Sequence, residues 1–283
     1  MNTKEKRWDE SEEGYAARQL WESFCESILY NNRFFVKHSL LEMLTEYLKD
    51  NVMTIPAGSI FYRARIIDAK AWKDHMIYKC YSAIGEDKLE VEYHRKANKF
   101  RGLTKSGSFV PPEGVLVGEG RSNPKYIKYL YMSEEPTTAL FEVRPLLFDA
   151  VNLAQIIVNS ELKIANISID ISESSQNDKT KEMQVMSYIQ GAFSKPTNDV
   201  EDYLPTQIIA EYVKNLGFEG IRYNSSLYRK GVNYTIFAYN KCEAIASQDF
   251  RIEDFKITAR AAIGSASYEG DINYIVDNEP KYL

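Results

Sequence analysis

Arg121, Tyr131 and Glu142 stand ten and eleven residues apart in a stretch reading GRSNPKYIKYLYMSEEPTTALFEVRP. A guanidinium can grip a phosphate through two parallel hydrogen bonds. A tyrosine ring can stack on a planar heterocycle, or simply pack in a core. Glu142 shares a helix side with the small residues Thr138 and Ala139. They leave room for a ligand beside the carboxylate; otherwise Glu142 is a solvated helix residue paired with a base such as Arg144. Two further clusters fit the same chemistry. Arg63 and Arg65 in FYRAR alternate onto one strand face, where like charges repel unless an anion or carboxylate lies between them. Ser225 and Ser226 follow a strand in RYNSS, as substrate-positioning hydroxyls or as turn formers.

Composition narrows the alternatives. The 283 residues carry a net charge of −5 with 44% hydrophobic residues. That is enough for a substantial core and too acidic for a nucleic-acid surface. The charged start MNTKEKRWDESEEG has no apolar segment of a signal peptide, and no run suits a membrane span. Cys25, Cys80 and Cys242 form neither a disulfide framework nor a CxxC site, as in a cytoplasmic protein. Three histidines without HExxH-like spacing give no metal site. The expected chemistry therefore runs on Arg, Glu, Tyr and Ser, without a cofactor.

The elements that would position these groups can be read along the chain. Apolar residues recur at helical spacing over 14–30, and a second helix, SLLEMLTEYLKD, opens with Ser39 and Glu42 at capping-box spacing. Pro56 and Gly58 mark a turn before a strand at 60–66. Residues 81–119 read as a long loop, and Gly118, Gly120 and Pro124 stiffen the turn that carries Arg121. A strand at 126–133 places Tyr131 opposite Leu130 and Met132. A helix at 136–143 buries Leu140 and Val143, and a strand covers 163–170. After a polar loop at 172–181 come helices near 182–193 and 205–216. Pro205 opens the second of these and Gly217 stops it. Strands GIRYNSS and YTIFAYN follow, with a short strand at 272–276. The fold class is α+β: a mixed β core with interspersed helices, preceded by a helical hairpin. A two-helix hairpin has too little core to stand alone, so it must pack on the body or on a second subunit.

The set GRSNP, YLYMSEEPTTALFEVRP, YLPTQIIAEYVKNLGFEGIRYNSS and GVNYTIF resembles the RES-domain family from about Ile60 to Tyr239. The family is named for an arginine, a glutamate and a serine, and its studied members are bacterial toxins that destroy NAD. The resemblance implies an ADP-ribosyltransferase-like fold and three segments. These are an N-terminal HEPN-like helical extension at 1–53, a RES domain at 54–250 and a tail at 251–283. It assigns catalysis to Glu142, Arg121, Tyr131 and Ser225, with Arg63, Asn123 and Ser226 as further contacts to the dinucleotide. Ser225 and Ser226 compete for the family's serine, since Asn224 stands where many members have proline. In these roles Glu142 stabilises the oxocarbenium-like ribose as nicotinamide leaves. Arg121 with Arg63 holds the pyrophosphate, Tyr131 flanks the nicotinamide or ribose, and Ser225 bonds the ribose or carboxamide. NAD is then substrate rather than cofactor. Water makes the enzyme a glycohydrolase, inorganic phosphate an NAD phosphorylase, and a protein acceptor an ADP-ribosyltransferase. An antitoxin is the implied protein partner, and a homo-oligomer is compatible; neither nucleic acid nor a membrane is expected. Two readings of other classes compete. Arg33 and His38 match the R-x4-H spacing of HEPN ribonucleases, although helix-end contacts explain them as well. A non-catalytic NAD-binding module is the other.

Overall fold

The computed structural model describes residues 11–67, 99–169, 180–195, 199, 201–254, 257–260 and 267–270. The readings at 81–98, 172–179 and 272–276 lie outside them. Helix α1 (Glu12–Glu26) begins where Ser11 Oγ accepts the Gly14 N–H at 3.0 Å, and it ends in a π-turn at Ser27–Asn31. Helix α2 (Ser39–Asp50) is capped by His38, whose Nδ1 accepts the Leu40 N–H at 3.2 Å. An imidazole thus does the work expected of the Ser39 hydroxyl. Phe24 and Ile28 join Leu40, Leu44 and Leu48 in one core cluster. Helices α4 (Lys181–Ser194) and α5 (Leu204–Asn215) complete it with Met186, Ile189, Phe193, Ile209 and Val213. The hairpin therefore packs on the body, and Thr45 Oγ1 meets the Tyr212 hydroxyl across the joint at 2.7 Å. Burying these apolar residues is what a short hairpin needs to persist. No helix among the described residues is long and apolar enough to cross a membrane.

Among the described residues nine strands form one sheet: β1 (Val52–Ile55), β2 (Ile60–Ile67), β3 (Phe100–Arg101), β4 (Leu130–Ser133), β5 (Ala150–Val158), β6 (Leu162–Asn166), β7 (Gly220–Asn224), β8 (Val232–Ile236) and β9 (Cys242–Arg251). Their order is β1-β6-β7-β8-β4-β2-β5-β9-β3. Only β6/β7 and β3/β9 run parallel. A separate two-stranded sheet joins β10 (Ile257–Arg260) and β11 (Ser267–Gly270). The period-2 alternation divides β4 as expected: Tyr131 packs toward the helices, while Leu130 and Met132 enter a second core on the other face.

Three expectations need correction. The strands at 126–133 and 163–170 are shorter, β4 and β6, because Tyr126 sits at φ 74° in a turn and pairing of β6 stops at Asn166. Helix α3 (Pro136–Glu142) buries Thr138 and Ala139, whereas Leu140 and Val143 are only half-buried. β5 and β9, the longest pair in the sheet, showed no readable period. β5 is buried at Ala150, Val151 and Asn152 in succession, and its pairing slips between Gln155 and Ile156. Its other face is only half-buried yet carries Leu153 and Ile157, so hydrophobicity does not alternate although burial does.

Candidate active site

Strands β2, β4 and β8 are neighbours, and α3 follows β4 after only Glu134 and Glu135. Pro136 fixes the first helical φ, so the helix starts sharply. Its small buried face lets it approach the sheet closely. A Cβ on Gly231, just before β8, would stand 2.6 Å from Thr138 Cγ2. That approach sets Glu142, the last residue of α3, over the ends of β7 and β8.

A cavity of about 260 Å³ opens there, lined by Arg63, Arg121, Tyr131, Glu142, Tyr223 and Asn233 among others. Four of the residues expected from sequence thus share one space. Glu142 Oε1 accepts the Ser225 hydroxyl at 2.5 Å and the Asn233 amide at 2.7 Å. Ser225 Oγ itself accepts the N–H groups of Leu227 and Tyr228, both at 3.1 Å, which turns its proton toward the carboxylate. Asn233 is oriented in turn by Ser133, whose hydroxyl donates to its Oδ1 at 2.7 Å. A carboxylate at a helix C-terminus opposes the helix dipole; two donors on one oxygen offset that cost. Oε2 has no hydrogen-bond partner among the described residues.

The arginine loop is tied from three sides. Tyr131 donates its hydroxyl to Asn123 Oδ1 at 2.7 Å and accepts the Ser122 N–H at 3.1 Å. Gln207 donates to the Gly120 carbonyl at 2.9 Å. Glycine is required at 120, since a Cβ would lie 2.5 Å from Asn123 Oδ1. Arg121 then reaches the last turn of α4, donating to the Ala192 carbonyl at 2.6 Å, with its guanidinium 5.5 Å above the Tyr203 ring. A cation at a helix C-terminus is favourably placed.

Two expected contacts fall elsewhere. Asn123 is buried and does not line the cavity; its amide nitrogen donates to the carbonyls of Gly118, Pro124 and Ile127, so it knots the loop. Ser226 is exposed and donates to the Ser194 carbonyl at 2.5 Å, leaving Ser225 as the serine on Glu142. Asn224 has its N–H on Gln190 Oε1 at 3.1 Å, a bond that proline could not make.

Arg63 and Arg65 part company. Arg65 donates to the Gly107 carbonyl at 3.1 Å, while Arg63 lines the cavity with no carboxylate partner among the described residues. Burial, then the Arg65 charge, pushes the Arg63 guanidinium down to about 10. Arg144 also lines the cavity, at φ 48°, an uncommon conformation for a residue with a side chain. Three guanidiniums face one carboxylate, a balance suited to an anionic ligand. Tyr223 and Tyr131 form an aromatic wall, both phenols pushed up chiefly by burial.

Asn233 and Tyr223 were not singled out from sequence, and Arg144 only as an ion-pair partner for Glu142. Asn233 carried the clearest available signal, a lone amide inside the apolar strand VNYTI. Arg33 and His38, by contrast, do not converge on a site. Arg33 is exposed, and His38 is a helix cap whose Nε2 lies 3.2 Å from Ser23 Oγ.

A family model described as the RES domain matches residues 91–258. Among solved structures, the chain is similar to one in the crystal structure of the M. tuberculosis MbcT–MbcA toxin–antitoxin complex. The identity is 14% over 74% of this chain and 93% of that one, with a TM-score of 0.34. Comparison with curated proteins gives no match.

Proposed function

This chain belongs to the RES-domain family, and from that premise we propose that it is a toxin that consumes NAD by cleaving the nicotinamide–ribose bond. The observation that carries the reading is the cavity itself, where a carboxylate oriented by Ser225 and Asn233 faces Arg63, Arg121 and Arg144. The pyrophosphate lies against the guanidiniums, and the nicotinamide riboside against Tyr131. The C–N bond breaks with its electron pair passing to the ring nitrogen, so nicotinamide leaves neutral. Positive charge grows on the ribose, and the Glu142 carboxylate stabilises it. Ser225 acts through Glu142, because its hydroxyl is already committed to Oε1. The acceptor oxygen then bonds to the anomeric carbon. Water loses a proton and yields ADP-ribose; inorganic phosphate yields ADP-ribose phosphorylated at that carbon. An antitoxin is part of the same proposal. Glu142 and Arg144 are exposed at the mouth, and Leu146 and Phe148 beside them are 69% and 65% exposed, an apolar surface for a covering partner.

Incubating the protein with NAD, with and without phosphate, and resolving products by chromatography tests this directly. Free nicotinamide with ADP-ribose in both conditions identifies hydrolysis. A phosphate-dependent sugar phosphate identifies phosphorolysis. No NAD loss from folded protein in either condition overturns the reading and leaves an NAD-binding module. Toxicity that survives Glu142→Gln but not His38→Ala would point instead to RNA cleavage.

A further inference from the structure

We propose that the stacked rings of Phe141 and Tyr228, tied to the cavity through Glu142 and Ser225, form the subsite for the second heterocycle of the dinucleotide. The inference rests on the NAD-cleavage reading. A cavity of about 260 Å³ lies below the ~300–1,000 Å³ that encloses a drug-sized ligand, and a dinucleotide is larger still. With the nicotinamide riboside held at Glu142, the adenylate half must lie outside, on surface continuous with the site.

Phe141 and Tyr228 are tied to Glu142 from two directions. Phe141 immediately precedes Glu142 on α3, and it is 41% exposed. Tyr228 lies three residues beyond Ser225, and its backbone N–H rests on the same Ser225 Oγ that touches Glu142. The two rings are parallel within 6°, with centroids 5.7 Å apart, the offset arrangement aromatic pairs prefer. A planar base laid on an outer face would extend the stack. Such contact accepts any base, because every base has a π-face. The same loop continues into Arg229 and Lys230, both exposed and without an ion pair among the described residues. Arg144, two residues after Glu142, lines the cavity itself and offers a cation for the phosphates between the two halves.

The test compares NAD with nicotinamide mononucleotide, which has the same scissile bond but no adenylate. Tyr228→Ala and Phe141→Ala should each raise KM for NAD about tenfold, the loss expected of one base–aromatic stack. Both should lower kcat/KM for the mononucleotide less than twofold. Phe34→Ala, on the exposed tip between α1 and α2, serves as the control and should change neither. Equal losses on both substrates, or no loss on NAD, would overturn the subsite. If the wild type cleaves neither substrate, the activity reading fails by itself. Calorimetric titration of NAD into the same proteins then decides the subsite, with affinity weakened by both substitutions supporting it and unchanged affinity overturning it.

Discussion

Glu142 and Arg63 face the same cavity but are built into it in different ways. The carboxylate has its partners in place: Ser225 and Asn233 donate to one oxygen, and Ser133 holds Asn233. The guanidinium has been drawn out of water beside a second arginine, with its pKa pushed down to about 10 and no carboxylate partner among the described residues. Pre-paired groups hold geometry before substrate arrives, while an unpaired half-buried cation gains its partner only from an anion. One wall is preorganised. The other lacks a counter-charge, which on the proposed reading the phosphates of NAD supply.

Glu142→Gln keeps the shape and removes the charge, and should cost on the order of a thousandfold in NAD consumption with little change in Tm. A variant as active as wild type would remove Glu142 from the chemistry. Asn233→Leu should lower kcat by about a hundredfold at a nearly constant KM. It should also lower stability, since Ser133 loses a buried acceptor. A rise confined to KM would show that Asn233 binds substrate rather than orienting the carboxylate.

Arg63→Met sharpens the contrast because its two effects have opposite signs. KM for NAD should rise about tenfold while the free protein gains about 1 kcal/mol, after discounting for partial exposure. The sign follows from linkage. The folded-state pKa lies below the ordinary value, so the unfolded chain binds the proton more tightly and the penalty is fully present at neutral pH. It lifts only as pH rises above about 10. Denaturant unfolding that shows a loss of stability would mean that Arg63 is paired in the free protein.

The smallest expected effect lies away from the cavity. His38 caps α2 through a lone pair on Nδ1, and burial lowers its pKa. Its neutral form is therefore favoured in the fold. The stabilisation is present above pH ~6.5 and disappears as pH falls through the lowered folded-state value. His38→Asn, whose cap does not titrate, should match wild type in Tm near neutrality and exceed it by a few degrees at acid pH. NAD turnover should not change. Parallel Tm curves for the two proteins would exclude the cap as the acid-sensitive contact.

Much of the helical layer was legible because its faces differ. Ile209 and Val213 on α5, and Leu44 and Leu48 on α2, repeat at helical spacing because one side meets the core and the other meets water. Residues 60–66 were legible as a strand through the bounding turn at Pro56 and Gly58. β5 and β9 were not, because apolar Leu153 and Ile157 stand on the half-buried second face of β5 and the pairing slips after Gln155, which breaks the period on which reading depends. At the site, Arg121, Tyr131 and Glu142 stood out by spacing, and the family resemblance added Asn123 as a ligand contact. The loop in fact folds around the Asn123 amide, since a buried side chain with donors and acceptors must find partners close by.

Residue order alone specified which chemical groups were available, and local periodicity specified most of the helices that carry them. Only the assembled sheet decided that Ser225 rather than Ser226 touches Glu142, that Asn233 joins it, and that Arg63 and Arg65 diverge. Those choices depend on distances between segments far apart in the chain. Such distances come from how strands and helices pack, and no local pattern of residues encodes them.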